Sequence, residues 1–516
     1  MADTVAPAIL SPHVTPPRKR QVTLAVLCVT LLLVSLDNTI LNVALPTIVR
    51  TLHATSSELQ WIVAAYSVTL AGLLLSIGAL GDRVGRKWVF LAGLALFGAG
   101  SAAAAWSTTP DLLTVARVGM GIGAAALMPS TLSILINVFP SEGERAKAIG
   151  IWSGTAGIGV AIGPILGGLL LAHFWWGSVF LVNVPICILG FIATIAFVPN
   201  SRNAQAKRAD PVGALLSISG FGLLLWGIIE APNLTWTSPS ILAALIGGIF
   251  VIGSFAAWER RMADPMLPLR FFRNPRFSAA IASLAMVLFA LIGMFFLLTQ
   301  YFQFSLGYSA LQTGLRIGPI AAVILVAAPT SILVVRRFGN RTVIVAGLVL
   351  VAAGLGLLSR TSVSSTYLQI LPSLLLLGIG SGVAMAPSTE SIMGSLPPDD
   401  AGVGSATSDT AMQMGGALGV GILGTILNLR YKEHVTSLIA GHGVPASVAH
   451  VVTGSLGGAL VVAQRVPGHS GTTLAREAKS AFISGMDFSL VIGAAVVAIA
   501  CIVVLVLLPN RSAGTS

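Results

Sequence analysis

Charge is what this sequence lacks most. Asp, Glu, Lys and Arg make up 9% of its 516 residues, where a soluble domain carries about 25%. An ordinary water-soluble fold is therefore excluded. Acidic residues are the scarcer sign, 18 against 29 basic ones. The resulting net charge of +11 does not point to nucleic acid. The basic residues sit in short loops between apolar runs, a topological pattern that also favours anionic lipid headgroups. Cysteine is nearly missing. Cys28, Cys187 and Cys501 all lie inside apolar runs, which argues against a disulfide framework or a metal site. No Walker-type phosphate loop occurs, and no nucleophile–base pair or metal cluster emerges. The expectation is a protein that is not an enzyme, carries no cofactor and draws energy from an ion gradient. No cleavable signal is expected either, because the first apolar run, 22–45, is too long for one.

What the chain does have is long apolar runs, and a bilayer span needs roughly 20 such residues. Fourteen are read, at 22–45, 58–80, 88–106, 111–136, 147–172, 178–198, 212–230, 239–258, 277–302, 311–335, 342–359, 366–394, 402–428 and 480–508. The basic residues test the count. With both termini in the cytoplasm, twenty of the 29 fall on the inner side and seven on the outer side, while Arg117 and Arg316 lie within spans. This is the bias that the positive-inside rule demands. One outer loop, 429–479, is long. Its apolar piece 454–463 is too short to span and reads as packed on the outer mouth. Its histidines, His434, His442, His450 and His469, fit no metal spacing.

The chain also resembles itself at an offset near 254–258 residues. Leu127-Met-Pro-Ser-Thr-Leu-Ser-Ile134 returns as Met385-Ala-Pro-Ser-Thr-Glu-Ser-Ile392, and Asp82-Arg-Val-Gly-Arg-Lys87 returns weakly as Arg336-Arg-Phe-Gly-Asn-Arg341. Gly157 and Gly163 align with Gly415 and Gly421. The expected architecture is an all-α polytopic membrane protein: a tail (1–21), a six-helix bundle (22–198), a linker with two inserted helices (199–276), a second six-helix bundle (277–508) and a tail (509–516). Two parallel halves around a central path suit alternating access.

The strongest local motif is Gly78-Ala-Leu-Gly-Asp82-Arg83-Val-Gly85-Arg86-Lys87, between spans 2 and 3. Its glycines permit a tight turn, and Asp82 with the basic residues can form a charge lock on the inner face. A merely topogenic basic loop is the plainer reading. The spacing resembles the signature of the major facilitator superfamily. Leu36-Asp37-Asn38-Thr39 through Pro46, Arg117-Val-Gly119-Met-Gly121-Ile-Gly123, and Gly159-Val-Ala-Ile-Gly163-Pro164-Ile-Leu-Gly167-Gly168 are similar to motifs of its fourteen-helix drug:proton antiporters. That resemblance implies proton coupling through Arg117, an antiporter helix at 159–168 and export of amphiphilic, often cationic compounds. The implied location is the plasma membrane, with lipid, protons and small molecules as partners, no nucleic acid, and a monomer. Export of a single antibiotic or metabolite is the alternative, and a non-transporting membrane sensor a further one.

The residues themselves point the same way. A charge inside a span is costly and usually faces a cavity or a partner. Asp37, Glu390 and Asp409 are placed in spans 1, 12 and 13 to cycle between protonated and charged forms, with Arg117 as the buried cation beside one of them. Asp37 has the alternative of bonding only Asn38 or Thr39, and Asp409 of a structural contact with Gln413 or Ser408. Trp61, Tyr66, Met128, Phe295 and Gln413, with Phe289, Met294, Phe296 and Met412, are candidates to line an adaptable substrate pocket, although packing alone accounts for many such residues. Glu58 and Glu230 lie near outer span ends and read as solvated, Arg316 reads as snorkelling, and Asp487 stays open. The second copy of the loop motif has Arg336 where the first has Asp82, so any lock is asymmetric.

Overall fold

The computed structural model describes residues 17–202, 209–397, 400–440 and 445–508. Lys207, Arg208, Arg511, His442, the first sixteen residues and 509–516 lie outside the described residues. In chain order the helices are α1 (Pro17–Leu52), α2 (Ser56–Val84), α3 (Arg86–Ala105), α4 (Pro110–Val138), α5 (Glu142–His173), α6 (Ser178–Leu181), α7 (Asn183–Phe197), α8 (Pro211–Leu234), α9 (Pro239–Arg261), α10 (Pro275–Gln300), α11 (Ala310–Leu358), α12 (Tyr367–Met393), α13 (Ala401–Ile439), α14 (Ala446–Gly454), α15 (Leu456–Arg465) and α16 (His469–Leu507). Helix starts follow local chemistry. Thr55 with Glu58 and Ser309 with Gln312 form capping boxes, and Thr109, Asp210 and Ser238 cap α4, α8 and α9.

Among the described residues, thirteen continuous helical stretches are long and apolar enough to cross a membrane. Fourteen were expected, and the difference is α11. Its 49 residues would run about 74 Å if straight, more than twice a hydrocarbon core. It is not straight: Gly339 has φ +80° and ψ 157°. Ile320 and Gly347, on either side of that break, both pack on neighbouring residues of α12, Gly378 and Gly380. The chain therefore reverses at Gly339, and α11 is two spans. Gly85 makes the corresponding reversal between α2 and α3, with φ +131°. Only glycine adopts either conformation readily. The loop contacts repeat too: Arg86 Nη1 donates to Ser133 O (3.3 Å), and Asn340 Nδ2 donates to Ser391 Oγ (2.8 Å).

Helix contacts correct the repeat by two residues. Gly159 and Gly163 of α5 pack on Ser35 and Thr39 of α1, whereas Gly415 and Gly419 of α13 pack on Ala285 and Phe289 of α10. Gly157 and Gly421, the sequence counterparts of Gly415 and Gly163, face other helices, α11 and α8. The expected loop 429–479 is largely helical: α13 runs on to Ile439, α14 and α15 follow, and α16 begins at His469. Its apolar piece is α15, whose Gly457 sits against Val49 near the end of α1 and Phe304 in the segment after α10. Arg316 is partly exposed: its Nη1 donates to Gln312 O (3.2 Å), and its guanidinium lies over the Tyr308 ring, 3.9 Å from the centroid. Asp487 accepts from Thr361 Oγ1 at 3.1 Å, and all three cysteines are buried and free.

The inserted pair packs on itself through Gly220, Gly227 and Gly248. α8 lies along one seam between the halves, with Ile218 over Gly72 of α2 and Leu225 over Gly421 of α13. The opposite seam, α5 against α11, tapers. At the face away from the basic loops (the far face), Gly168 touches the Leu311 backbone and Gly314 touches the Pro164 backbone. Towards the basic-loop face, a Cβ on Gly157 would reach only Leu325, at 3.9 Å, and beside Gly154 and Gly150 there is open space. Far-face closure is reinforced by Gln303 Nε2 donating to Val43 O (2.9 Å) and by Arg50 over Phe304 (5.2 Å). The halves are closed at the far face and parted at the basic-loop face.

Candidate functional site

Five helices of the first bundle converge on one buried ion pair. Asp37 of α1 and Arg117 of α4 are 0% and 1% exposed and are bonded through Arg117 Nη1 and Asp37 Oδ2. Arg117 Nε donates to Ile62 O at 3.2 Å, and its guanidinium lies over the Tyr66 ring at 4.2 Å, both on α2. Asn183 Nδ2 of α7 donates to Asp37 Oδ1 at 3.4 Å and to Ser101 Oγ of α3 at 3.3 Å. Each charge thus has a partner and further polar contacts, which a buried pair needs to offset its desolvation. Tyr66, expected on the substrate path, serves this cluster instead. Asn183 and Ser101 were missed by the sequence reading, although polar side chains inside spans were a usable signal.

The second element is a cavity of about 400 Å³ open towards the basic-loop face. Its walls are α2 (Leu74, Leu75), α4 (Met128), α5 (Trp152) and α13 (Asp409), with Met266 from the segment before α10. Asp409 is half-buried there and makes no hydrogen bond or ion pair among the described residues. The proposed structural contacts are absent: Ser408 Oγ donates to Gly404 O (2.8 Å). Asp82 and Asp264 also line the cavity, and no Lys or Arg does among the described residues. An apolar wall with three carboxylates is suited to an amphiphilic cation. Asp264 was missed because an exposed acid in a linker gives no signal in sequence.

Other expected residues lie elsewhere. Glu390 is exposed on the last turn of α12, not buried in a span. Trp61 packs against α8 with Ile218 and Phe221, and its Nε1 donates to Glu230 Oε1 at 3.3 Å. Phe295 belongs to the packed core. Gln413 is half-buried one turn beyond Asp409. Met128 does line the cavity.

At the loop motif, Asp82 Oδ1 accepts from Arg86 Nε at 2.7 Å, and Lys87 Nζ donates to Ile195 O at 2.8 Å, while Arg83 is exposed. Gly78 lets Pro129 of α4 approach to van der Waals contact. Every one of these bonds stays inside the first bundle, as expected of a lock whose basic-loop face is open. The α5 glycines divide their work. Gly159, Gly163 and Gly167 admit α1, and Gly168, one turn beyond Pro164, admits the α11 backbone.

A Cβ at Gly168 would stand 2.5 Å from Leu311 Cα and 2.7 Å from Ala310 O, both backbone atoms that cannot step aside. Overpacking of this kind costs about 1–3 kcal/mol. Gly168→Ala is therefore expected to open the far face, slowing transport while leaving the protein folded. A cysteine placed at Val43, buried beneath Gln303, should then label faster with an impermeant thiol reagent; unchanged labelling and transport would mean this contact does not seal the path.

A fold of two six-helix halves around a charged cavity defines a membrane transporter. The Major Facilitator Superfamily model matches residues 27–420, and the chain belongs to that superfamily. It is 37% identical over 492 residues to the multidrug efflux pump LfrA of Mycolicibacterium smegmatis, covering 95% of this chain and 96% of that one. It is 34% identical to the tetracenomycin C resistance and export protein of Streptomyces glaucescens (94% and 90% covered), and 32% identical to the methyl viologen resistance protein SmvA of Salmonella typhimurium (90% and 93% covered). Among solved structures, an inward-facing bacterial homologue of the human lysosomal transporter Spinster superposes with a TM-score of 0.66 at 17% identity, covering 96% of this chain and 97% of that one.

Proposed function

We propose that this protein is a proton-coupled antiporter that exports amphiphilic, often cationic compounds across a bacterial plasma membrane. It works as a monomer by alternating access, with the basic-loop face and both termini in the cytoplasm and no cofactor. The observation that carries the reading is the Asp409 carboxylate, unpaired among the described residues, in an apolar, otherwise acidic cavity that faces the basic loops. An organic cation can enter from that face, lay its apolar body on Leu74, Leu75, Met128 and Trp152, and set its charge against Asp409. The efflux and methyl viologen resistance named for two relatives support this substrate class.

Proton coupling falls to the Asp37–Arg117 pair. The pair is sealed from water while the basic-loop face is open. When the far face parts, a proton taken up from outside neutralises Asp37 and frees Arg117 to rest on Tyr66 and the Ile62 carbonyl. Loss of that proton to the inside restores the pair. A second reading, a dedicated exporter of one antibiotic, is favoured by the relative named for tetracenomycin C export; a panel of unrelated compounds separates the two. The decisive experiment is efflux of a cationic dye from proteoliposomes under an imposed pH gradient. Gradient-dependent efflux is expected, and its absence would sink the proposal.

A further inference from the structure

A second cavity, of about 450 Å³, lies at the far face where α2, α8, α13 and α14 meet. Apart from Gly454 its lining residues are all polar or charged, and it plays no part in the transport path described above. Two half-buried carboxylates line it. Glu58 Oε2 accepts from the Thr55 amide (2.7 Å) and hydroxyl (2.8 Å), and Glu230 accepts from Trp61 Nε1 (3.3 Å) and Asn233 Nδ2 (2.9 Å). The sequence reading left both as solvated end charges; the structure turns them into a shared wall. Neither forms an ion pair within 4.0 Å among the described residues. Lys432 is in the wall too, but its ammonium is directed at Pro232 O (3.1 Å) and Asn233 Oδ1 (3.3 Å). His450, from α14, is the remaining titratable group.

The opposite wall supplies the observation that points to a ligand. Asn428 of α13 is only 3% exposed and lines the cavity, yet its side chain makes no hydrogen bond among the described residues. Its side-chain amide opens only onto the cavity, so an occupant with a donor or acceptor meets an amide that no protein group has claimed. We propose that this cavity is a separate binding site for a small organic ammonium ion arriving from the far face, held between the carboxylates of Glu58 and Glu230 and the amide of Asn428.

The site has a consequence for transport. Its acids stand on α2 and α8, and its amide stands on α13 of the second bundle. Just beneath, Thr425 Oγ1 of α13 lies 3.2 Å from the side-chain amide of Gln60 on α2, another contact across the same seam. An ion bound here bridges the two halves where they must part to release cargo. It therefore holds the far face shut, and external ammonium ions inhibit export from the outside.

Choline is a suitable probe, being permanently charged, impermeant and able to offer a hydroxyl to Asn428. Full-length protein is studied in proteoliposomes with the far face outward, and sodium chloride balances ionic strength. External choline should slow dye efflux. The variant carrying Glu58→Gln and Glu230→Gln keeps an acceptor oxygen for Thr55 and for Trp61 but loses both charges. It should need at least about tenfold more choline for equal inhibition, a weakening of roughly 1.4 kcal/mol, with unchanged efflux in the absence of choline. Calorimetric titration of purified protein reads binding without transport, and there Asn428→Leu should also weaken choline. No choline binding by the wild type, or equal binding by wild type and the double glutamine variant, overturns the proposal. The antiport reading fails separately, through absence of gradient-driven efflux without choline.

Discussion

Asp409→Asn is expected to weaken binding of a cationic dye about 10- to 100-fold while leaving a neutral compound of similar shape nearly unaffected. The estimate follows from losing one charge-assisted contact, about 1.5–3 kcal/mol in a partly desolvated setting. The change is isosteric, and among the described residues Asp409 makes no hydrogen bond or ion pair whose loss would disturb α13. Asp264→Asn should cost only a few-fold, because that carboxylate is exposed at the cavity rim and solvent screens it. Dye titration of purified protein measures both. Equal losses for cationic and neutral compounds would show that Asp409 shapes the cavity without reading charge.

Asp37→Asn should abolish transport driven by a pH gradient and also lower stability. The substitution leaves the Arg117 guanidinium buried without its counter-charge, and breaking a buried pair from one side typically costs about 3–5 kcal/mol. Folding and function can be separated. Replacing both residues, Asp37→Asn with Arg117→Met, removes the uncompensated charge and should recover most of the lost stability, since apolar replacement of a whole buried pair is often neutral. Coupled transport should stay absent, because the carboxylate that takes up the proton is gone. Thermal unfolding in detergent reads the first effect and gradient-driven efflux reads the second. Full coupled activity in Asp37→Asn would remove this residue from the mechanism.

Much of this was legible in the sequence because membranes punish charge. Asp37, Arg117 and Asp409 stood out as ionisable residues in apolar runs, and the structure places each against a partner or a cavity. The span count was equally readable, since basic residues gather on one side of the spans and mark the reversal at Gly339 that helical continuity conceals. Facing was not legible. Nearly every residue of a span is apolar, so periodicity carries little information about which side meets lipid, core or cavity. Trp61 accordingly turned out to face α8, Phe295 the core and Glu390 the surface. Polar segments gave the weakest signal of all. Asp264 looked like linker, the helices within 429–479 looked like loop, and the pairing of Glu58 with Glu230 joins residues far apart in the chain.

The position of α8 alters how the machine is partitioned. It is tied to α2 at both ends: Ser57 Oγ donates to Ile229 O (3.4 Å) near the far face, and Ser76 Oγ donates to Asp210 O (2.8 Å) near the opposite face. Its bonds to α13, from Thr425 to Ile228 O (3.1 Å) and from Lys432 to Pro232 O (3.1 Å), are confined to the far-face end. Parting the halves there breaks the second set and spares the first. The inserted pair therefore travels with the first bundle, and the rocking is eight helices against six. α13 slides along a protein wall on one flank, while α5 and α11 separate directly into lipid on the other. The bilayer then resists the stroke along one flank only, so membrane thickness and stiffness should bear on turnover mainly through α5 and α11.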